Sequence, residues 1–83
     1  MKKVLIVEDD REIAELERDY LEASDFEVAI EGDGRKGVEA ALAGGFDLVI
    51  LDLMLPGIDG FNVCRRLREE LDIPVIIVSA RNP

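Results

Sequence analysis

Four short segments of the chain are rich in apolar and β-branched residues. They are residues 3–7, 26–30, 47–51 and 75–78, with the sequences KVLIV, FEVAI, DLVIL and VIIV. The first, third and fourth are nearly continuous apolar runs, which are typical of strands buried on both faces of a sheet. The second alternates between apolar and polar residues, which also favours a strand. The pattern therefore predicts four strands.

Between these strands, apolar residues recur at helical spacing and predict three amphipathic helices. An aspartate at position 9 or 10 can cap the first helix, Asp59 can cap the third, and Gly44 with Gly45 ends the second. Residues 32–34 (GDG) are interpreted as a turn, because their glycines lack the spacing of a phosphate-binding loop. The apolar helical positions are Ile13, Leu16, Tyr20 and Leu21, then Val38, Ala41 and Leu42, then Phe61, Val63, Cys64, Leu67 and Leu71.

The order of these elements determines the expected architecture. Strands that alternate with helices through short connections favour right-handed crossovers and a parallel sheet covered on both faces. We therefore expect an α/β fold with three layers, α/β/α, around an open parallel sheet. A chain of 83 residues accommodates one small domain of this kind.

Composition narrows the classes of function. The formal net charge of −9 opposes direct nucleic-acid binding, which requires a basic surface. The sequence contains no histidine, which makes triad hydrolysis and zinc chemistry poor candidates. No apolar run approaches the roughly 20 residues of a membrane span, so we expect no membrane partner. The single cysteine gives no reason to invoke an oxidising compartment, so a cytoplasmic location is expected.

Acidic residues follow two of the predicted strands, where a ligand site of a parallel sheet is expected. Glu8 and Asp9 follow the first strand and Asp52 follows the third, although Asp9 or Asp10 alone would serve equally well as a helix cap. Three converging carboxylates repel one another unless a cation compensates them, and Mg²⁺ prefers oxygen ligands. Asp52 is also a candidate nucleophile that forms an acyl phosphate. Ser79 follows the fourth strand, where its hydroxyl can donate to a phosphoryl oxygen.

Three motifs carry a resemblance to a known family. VEDD at 7–10, DLVILDLMLPGIDGFNVCRRLR at 47–68 and IPVIIVSAR at 73–81 resemble the receiver domain of two-component response regulators. They are most similar to the subfamily with a winged-helix DNA-binding output domain. The resemblance implies a flavodoxin-like fold with strand order 2-1-3-4 for the four strands present. It also implies that a partner histidine kinase transfers a phosphoryl group to Asp52.

The resemblance further implies the role of each site residue. Glu8, Asp9, Asp52 and the backbone carbonyl of Met54 would hold Mg²⁺. Ser79 would contact the phosphoryl group and couple it to a conformational change. By this resemblance the chain is at most self-phosphorylated from a phosphodonor, and it is not a turnover enzyme.

Compared with the family, residues 1–83 correspond to a receiver domain truncated after the fourth strand, without the last helix-strand-helix portion. The family's lysine on the next strand is not among these residues, so we expect slower phosphorylation at Asp52. We also expect a homo-oligomer, most simply a dimer, formed through an exposed fourth strand or the first helix.

Two other interpretations compete with a phosphoacceptor. One is an inert fragment or engineered scaffold module that self-associates without phosphotransfer. The other is a hydrolase of the aspartate-nucleophile phosphatase type, which also uses a strand-end aspartate and Mg²⁺. The hydrolase is the weaker alternative, because those enzymes carry a second aspartate two residues after the nucleophile and Met54 stands there. The sequence names neither the kinase nor the regulated process.

Overall fold

The computed structural model of this chain describes residues 1–55 and 57–78. Within them, four strands and three helices alternate, as predicted. They are β1 (Lys3–Val7), α1 (Arg11–Ala23), β2 (Glu27–Glu31), α2 (Gly34–Ala43), β3 (Leu48–Asp52), α3 (Gly60–Glu70) and β4 (Val75–Val78). The strands β2 and β3 lie one residue later than predicted, so Asp52 is the last residue of β3. Ser79 lies outside the described residues.

The four strands form one parallel sheet in the order β2-β1-β3-β4, which confirms the expected topology. Ile6 of β1 pairs in register with Ile30 of β2 and with Ile50 of β3, and Ile50 pairs with Ile76 of β4. β1 and β3 are therefore the central strands. Because all four strands run in the same direction, their carboxyl ends meet at one edge of the sheet.

Helices cover both faces of the sheet and create two hydrophobic cores. Successive residues of a strand point to opposite faces. Val4 and Ile6 accordingly pack with Ala14 of α1, whereas Leu5 and Val7 belong to the core beneath α2 and α3. This arrangement confirms the three-layer architecture.

Each of the three helices described above is preceded by an aspartate whose side chain accepts from backbone N–H groups of the first turn. Asp10 Oδ1 accepts from the N–H of Glu12 (3.0 Å) and Ile13 (3.2 Å). Asp33 and Asp59 cap α2 and α3 in the same way. Residues 32 and 33 of the predicted turn connect β2 to α2, and the structure adds that Asp33 caps α2 and Gly34 is its first residue.

Three residues predicted to lie on buried helix faces are instead exposed. The exposed fractions are 70% for Leu16, 80% for Tyr20 and 72% for Phe61. α1 packs on the sheet through Ala14 and Leu21, which leaves the Leu16 and Tyr20 edge of its apolar stripe in solvent. The helical period was predicted correctly, but the width of the buried face was overestimated.

The strand β4 is less buried than its apolar sequence suggests. Ile76 is 49% exposed, because it lies on the α1 face of the sheet while α1 packs over β1 and β2. Arg68 of α3 reaches the start of this strand, where its Nη2 donates to the carbonyl of Val75 (3.1 Å). The expected association through β4 or α1 stays a prediction. In the described part of the chain, no helix combines the length and the apolar character that crossing a bilayer requires.

Candidate metal centre at the carboxyl edge of the sheet

Three acidic side chains meet where the two central strands end. Glu8 directly follows β1, Asp9 is the next residue, and Asp52 is the last residue of β3. Each of them places a carboxylate oxygen within 4.8 Å of the other two. The structure therefore brings together the three carboxylates that the sequence predicted to converge.

Glu8 is fixed by the backbone on both sides. Its N–H donates to the carbonyl of Glu31 (3.1 Å), which extends the pairing of β1 with β2 by one residue. Its Oε2 accepts from the N–H of Asp10 (3.0 Å). The side chain is only 6% exposed, so these bonds hold an acidic group in a largely buried position.

Asp52 is held in a similar way at the end of β3. Its Oδ1 accepts from the backbone N–H of Met54 (3.0 Å), and its side chain is 6% exposed. The N–H of Leu53 donates to the carbonyl of Val78 (2.9 Å), so the hydrogen-bonded ladder between β3 and β4 continues past Asp52. The carboxylate therefore stands on rigid backbone. The Met54 carbonyl stays a prediction as a metal ligand.

The structure distinguishes the roles of Asp9 and Asp10, which the sequence left open. Asp10 caps α1, and its Oδ1 is occupied by two backbone N–H groups of the helix. Asp9 is exposed and belongs to the carboxylate cluster instead. Asp9 is thus the residue of this pair that is available to a ligand.

The loop after Asp52 is held closely against the start of α3. A Cβ atom on Gly60 would lie 2.6 Å from the carbonyl oxygen of Leu53, which is closer than real contacts of this kind. Leu55 is 4% exposed and anchors the same loop in the core beneath α2 and α3. Leu53 and Gly60 therefore bring the end of β3 and the start of α3 close together beside Asp52.

Burial and like charge shift the acid–base equilibrium of the cluster. Burial raises the pKa of Glu8 to about 7, the neighbouring carboxylates of Asp52 and Asp9 act in the same direction, and the Asp10 N–H partly offsets them. A carboxyl group with this pKa is partly protonated near neutral pH. The cluster thus holds more negative charge than its surroundings accommodate without a cation.

A fourth carboxylate, Glu17 of α1, was missed by the sequence analysis. Burial raises its pKa, and the negative charge of Asp52 adds to the effect. Its spacing in the sequence could have revealed it, because Glu17 lies one turn from both Ala14 and Leu21, on the side of α1 that packs on the sheet. An acid at such a position is unusual unless it faces a polar region.

The donor set fits a hard divalent cation. All three side chains offer carboxylate oxygens, which are the ligands that Mg²⁺ prefers, and one or two of them suffice for it. The ion pairs found among the described residues join Arg11 to Glu15, Arg18 to Asp19 and Glu22, and Arg66 to Glu70. None of these pairs involves Glu8, Asp9 or Asp52. Within the described part of the chain, no Lys or Arg side chain forms an ion pair with the cluster.

Comparison with known proteins identifies the class of protein that this fold and site define. Residues 4–83 match the response regulator receiver domain family. The chain belongs to that family.

Its relatives include complete response regulators. The response regulator ArlR of Staphylococcus saprophyticus is 44% identical over 82 residues, and that of Staphylococcus aureus strain Mu50 is 40% identical over 82 residues. Both alignments cover 99% of this chain and 37% of the relative. The chain therefore spans a little over a third of the length of these curated relatives.

Solved structures share the fold over nearly the whole chain. The response regulator TrrA of Thermotoga maritima, crystallised in complex with Mg(2+)-BeF, superimposes with a TM-score of 0.91 at 32% identity over 99% of this chain and 72% of its own. The BeF3-activated receiver domain of Klebsiella pneumoniae RstA gives 0.90 at 36% identity, covering 99% and 70%. TrrA in complex with the histidine kinase ThkA gives 0.89 at 32% identity, covering 100% and 72%.

Proposed function

We propose that this receiver domain accepts a phosphoryl group on Asp52, at a Mg²⁺ site formed by Glu8, Asp9 and Asp52. The observation that carries the proposal is the convergence of the three carboxylates within 4.8 Å at the ends of β1 and β3. The similar protein TrrA was crystallised in complex with Mg(2+)-BeF, which supports the choice of Mg²⁺ as the metal. All of residues 1–83 are assigned in this proposal to one receiver domain, which we place in the cytoplasm.

The phosphoryl donor that we propose is a histidine kinase. A complex between TrrA and the kinase ThkA supports this choice of partner. In the transfer step, a carboxylate oxygen of Asp52 attacks the phosphorus atom. The new O–P bond replaces the N–P bond of the donor phosphohistidine, whose nitrogen leaves with the bonding electrons. The product on this chain is an aspartyl phosphate.

The residues around Asp52 position the reacting oxygen. The N–H of Met54 holds Oδ1, which leaves Oδ2 as the oxygen that we assign to the attack. Glu8 and Asp9 supply the negative charge that retains a cation beside it. When bound, Mg²⁺ supplies positive charge that offsets the charge on the carboxylates and on the phosphoryl oxygens. Ser79, as the contact to the phosphoryl group and the conformational switch, stays a prediction from the family resemblance.

Both competing interpretations are less well supported. Membership in the receiver domain family favours a phosphoacceptor over an inert scaffold. An inert scaffold would form no phosphoryl adduct on Asp52. A phosphatase-type hydrolase requires a second aspartate two residues after Asp52, and the exposed Met54 lies there. A hydrolase would also release inorganic phosphate over many turnovers.

Intact-protein mass spectrometry after incubation with acetyl phosphate and Mg²⁺ tests the proposal. We expect one phosphoryl adduct that is lost on treatment with hydroxylamine, as an acyl phosphate is. Asp52→Asn removes the nucleophile and should abolish the adduct. Asp72→Asn, which changes an exposed aspartate outside the site, serves as the matched control. An adduct that persists in Asp52→Asn contradicts the proposal, as does an unmodified parent protein.

A further inference from the structure

The connection between β3 and α3 packs against the start of α2 through Ile58. An added Cβ atom on Gly34, the first residue of α2, would lie 2.9 Å from Ile58 Cδ1 and 3.0 Å from its Cγ2. Gly34 is not one of the glycines with a positive φ, so the close approach of Ile58 is what opposes a side chain there. Ile58 itself is half-buried and packs against the core beneath α2 and α3. Its side chain is therefore seated on the first turn of α2.

This contact links α2 to the part of the chain that holds the proposed nucleophile. Residues 53–55 and 57–59 lie between β3 and α3. Within them, the N–H of Met54 donates to Asp52 Oδ1 (3.0 Å), and Leu55 is buried in the core. Ile58 adds a contact with a helix that precedes β3 in the sequence. The placement of the Met54 amide thus depends on packing against α2 as well as on its chain neighbours.

The start of α2 is firmly held and can support such a contact. Gly37 follows Gly34 by one turn, and a Cβ atom added to it would lie 2.5 Å from Cγ1 of Val7. Val7 is the last residue of β1 and is 1% exposed, so α2 lies directly on a central strand. Asp33 caps the same turn. Because Glu8 directly follows Val7, α2 contacts the chain beside both strand ends that form the carboxylate cluster.

We propose that Ile58 is a positioning residue for phosphoryl transfer to Asp52, an inference that rests on the function proposed above. Its contact with Gly34 fixes the connection between β3 and α3, which keeps the Met54 N–H on Oδ1 and leaves Oδ2 for the attack. Ile58 acts through Met54 and does not touch the reacting atoms. A nucleophile that is held less firmly reacts more slowly, because fewer of its orientations are productive.

The rate of adduct formation tests this role. Ile58→Ala removes the three atoms nearest to Gly34 and should slow phosphorylation of Asp52 by acetyl phosphate and Mg²⁺ roughly tenfold. Ile58→Val keeps Cγ1 and Cγ2, so it should retain most of the rate. Leu42→Ala is the matched control, because it truncates a partly buried side chain of the same core at the other end of α2. It should lower stability without slowing the reaction of the folded protein.

A second measurement does not involve phosphorylation. The amide resonance of Met54, recorded without phosphodonor or metal, reports the hydrogen bond to Asp52. Ile58→Ala should shift this resonance and speed the exchange of the amide with solvent, whereas Leu42→Ala should do neither. Gly34→Ala keeps the Ile58 side chain but presses a methyl group against it, so it should also shift the resonance. Gly34→Ala remains decisive if Ile58→Ala fails to fold, which circular dichroism shows.

The double variant tests whether the contact itself matters. In Gly34→Ala combined with Ile58→Ala, the new methyl group occupies part of the emptied space, so the double variant should react faster than Ile58→Ala. Equal rates and equal Met54 resonances in Ile58→Ala and Leu42→Ala overturn the inference, as does an unshifted Met54 resonance in Gly34→Ala. These outcomes leave the proposed function intact when the parent protein forms its adduct. A parent protein that forms no adduct contradicts the proposed function and, with it, a role of Ile58 in the transfer.

Discussion

The carboxylates of Glu8 and Asp52 lie side by side at the ends of the neighbouring strands β1 and β3, with oxygen atoms within 4.8 Å. Each side chain is only 6% exposed. Two acidic groups this close and this poorly hydrated do not both ionise readily, and the pKa of Glu8 near 7 reflects this. The pair therefore couples protonation, metal binding and stability.

Stability without a divalent cation should fall as the pH rises from about 4.5 to 7. In this window the folded chain keeps a proton on Glu8, whose pKa is about 7, while the unfolded chain has lost it at its ordinary value of 4.5. The folded state then binds more protons, so the free energy of unfolding decreases with increasing pH. We expect Glu8 to account for about 1–3 kcal/mol of this decrease.

Urea unfolding at a series of pH values in EDTA measures this effect. Other carboxylates also contribute, so the parent protein is compared with Glu8→Gln, which does not titrate. The variant should lose less stability over the same window. If the two proteins show parallel curves, or if the parent gains stability as the pH rises, the raised pKa assigned to Glu8 is wrong.

Mg²⁺ should stabilise the folded chain, and this gain in stability should depend on Asp9 more than on Asp10. A cation that binds the folded state at about 100 times its Kd raises the free energy of unfolding by about 2.7 kcal/mol. Asp9→Asn removes a proposed ligand and should remove most of this gain. Asp10→Asn removes the same charge but keeps an acceptor for the helix cap, so it should retain most of the gain. Thermal unfolding with and without Mg²⁺ compares the three proteins, and equal losses in both variants would mean that net charge alone attracts the ion.

The cap itself gives a separate prediction at Asp10. Asp10→Ala leaves the N–H groups of Glu12 and Ile13 without their acceptor, so it should destabilise the chain by about 1 kcal/mol. Asp10→Asn should cost much less, since an amide oxygen replaces the lost acceptor. Urea unfolding in EDTA excludes any contribution of metal. Equal stability of the alanine and asparagine variants would argue against the cap.

Local apolar patterns predicted the alternation of strands and helices, whereas the strand order was implied by the resemblance to the receiver domain family. The apolar runs of β1 and β3 are followed by acids, and this pattern alone places Glu8, Asp9 and Asp52 at one edge of a parallel sheet. The choice between Asp9 and Asp10 required the geometry of the cap, because either residue satisfies the sequence pattern. Asp10 is the cap because its Oδ1, and not an oxygen of Asp9, accepts from the N–H groups of the first turn.

Burial was harder to predict than periodicity. An apolar stripe shows which side of a helix tends towards the core, but the sheet covers only part of that stripe. Phe61 is 72% exposed, whereas Leu67 on the same helix is 1% exposed. Ile76 belongs to an apolar run typical of a strand buried on both faces, but α1 lies over β1 and β2 and leaves its face uncovered. These outcomes depend on how helices are positioned across the sheet, which local sequence does not encode.

The difference in exposure between Phe61 and Leu67 of α3 is directly testable. Phe61→Ser should change the free energy of unfolding by less than about 0.5 kcal/mol, as exposed substitutions usually do. Leu67→Ala should cost about 2–5 kcal/mol, because it empties a buried position of the core. Chemical unfolding of both variants compares them. A large loss in Phe61→Ser would mean that this ring is covered in solution.

A side chain at Gly60 should destabilise the chain, although the backbone dihedral angles there permit one. Only glycines 44, 45 and 57 have a positive φ among the described glycines, so a Cβ at Gly60 is opposed by contact alone. The contact is with the backbone of Leu53, whose carbonyl oxygen and Cα would lie 2.6 Å and 3.1 Å from the new atom. A strand end that carries Asp52 cannot move aside as a flexible side chain does, so Gly60→Ala should destabilise the chain by about 1–3 kcal/mol.

Gly32→Ala is the matched control, since its nearest neighbour is 3.8 Å away and it should be nearly neutral. Urea unfolding measures both, and the amide resonance of Met54 reports any movement of the bond to Asp52. Equal stability of the two variants, with an unshifted Met54 resonance in Gly60→Ala, would show that the loop after Asp52 is looser than this packing indicates.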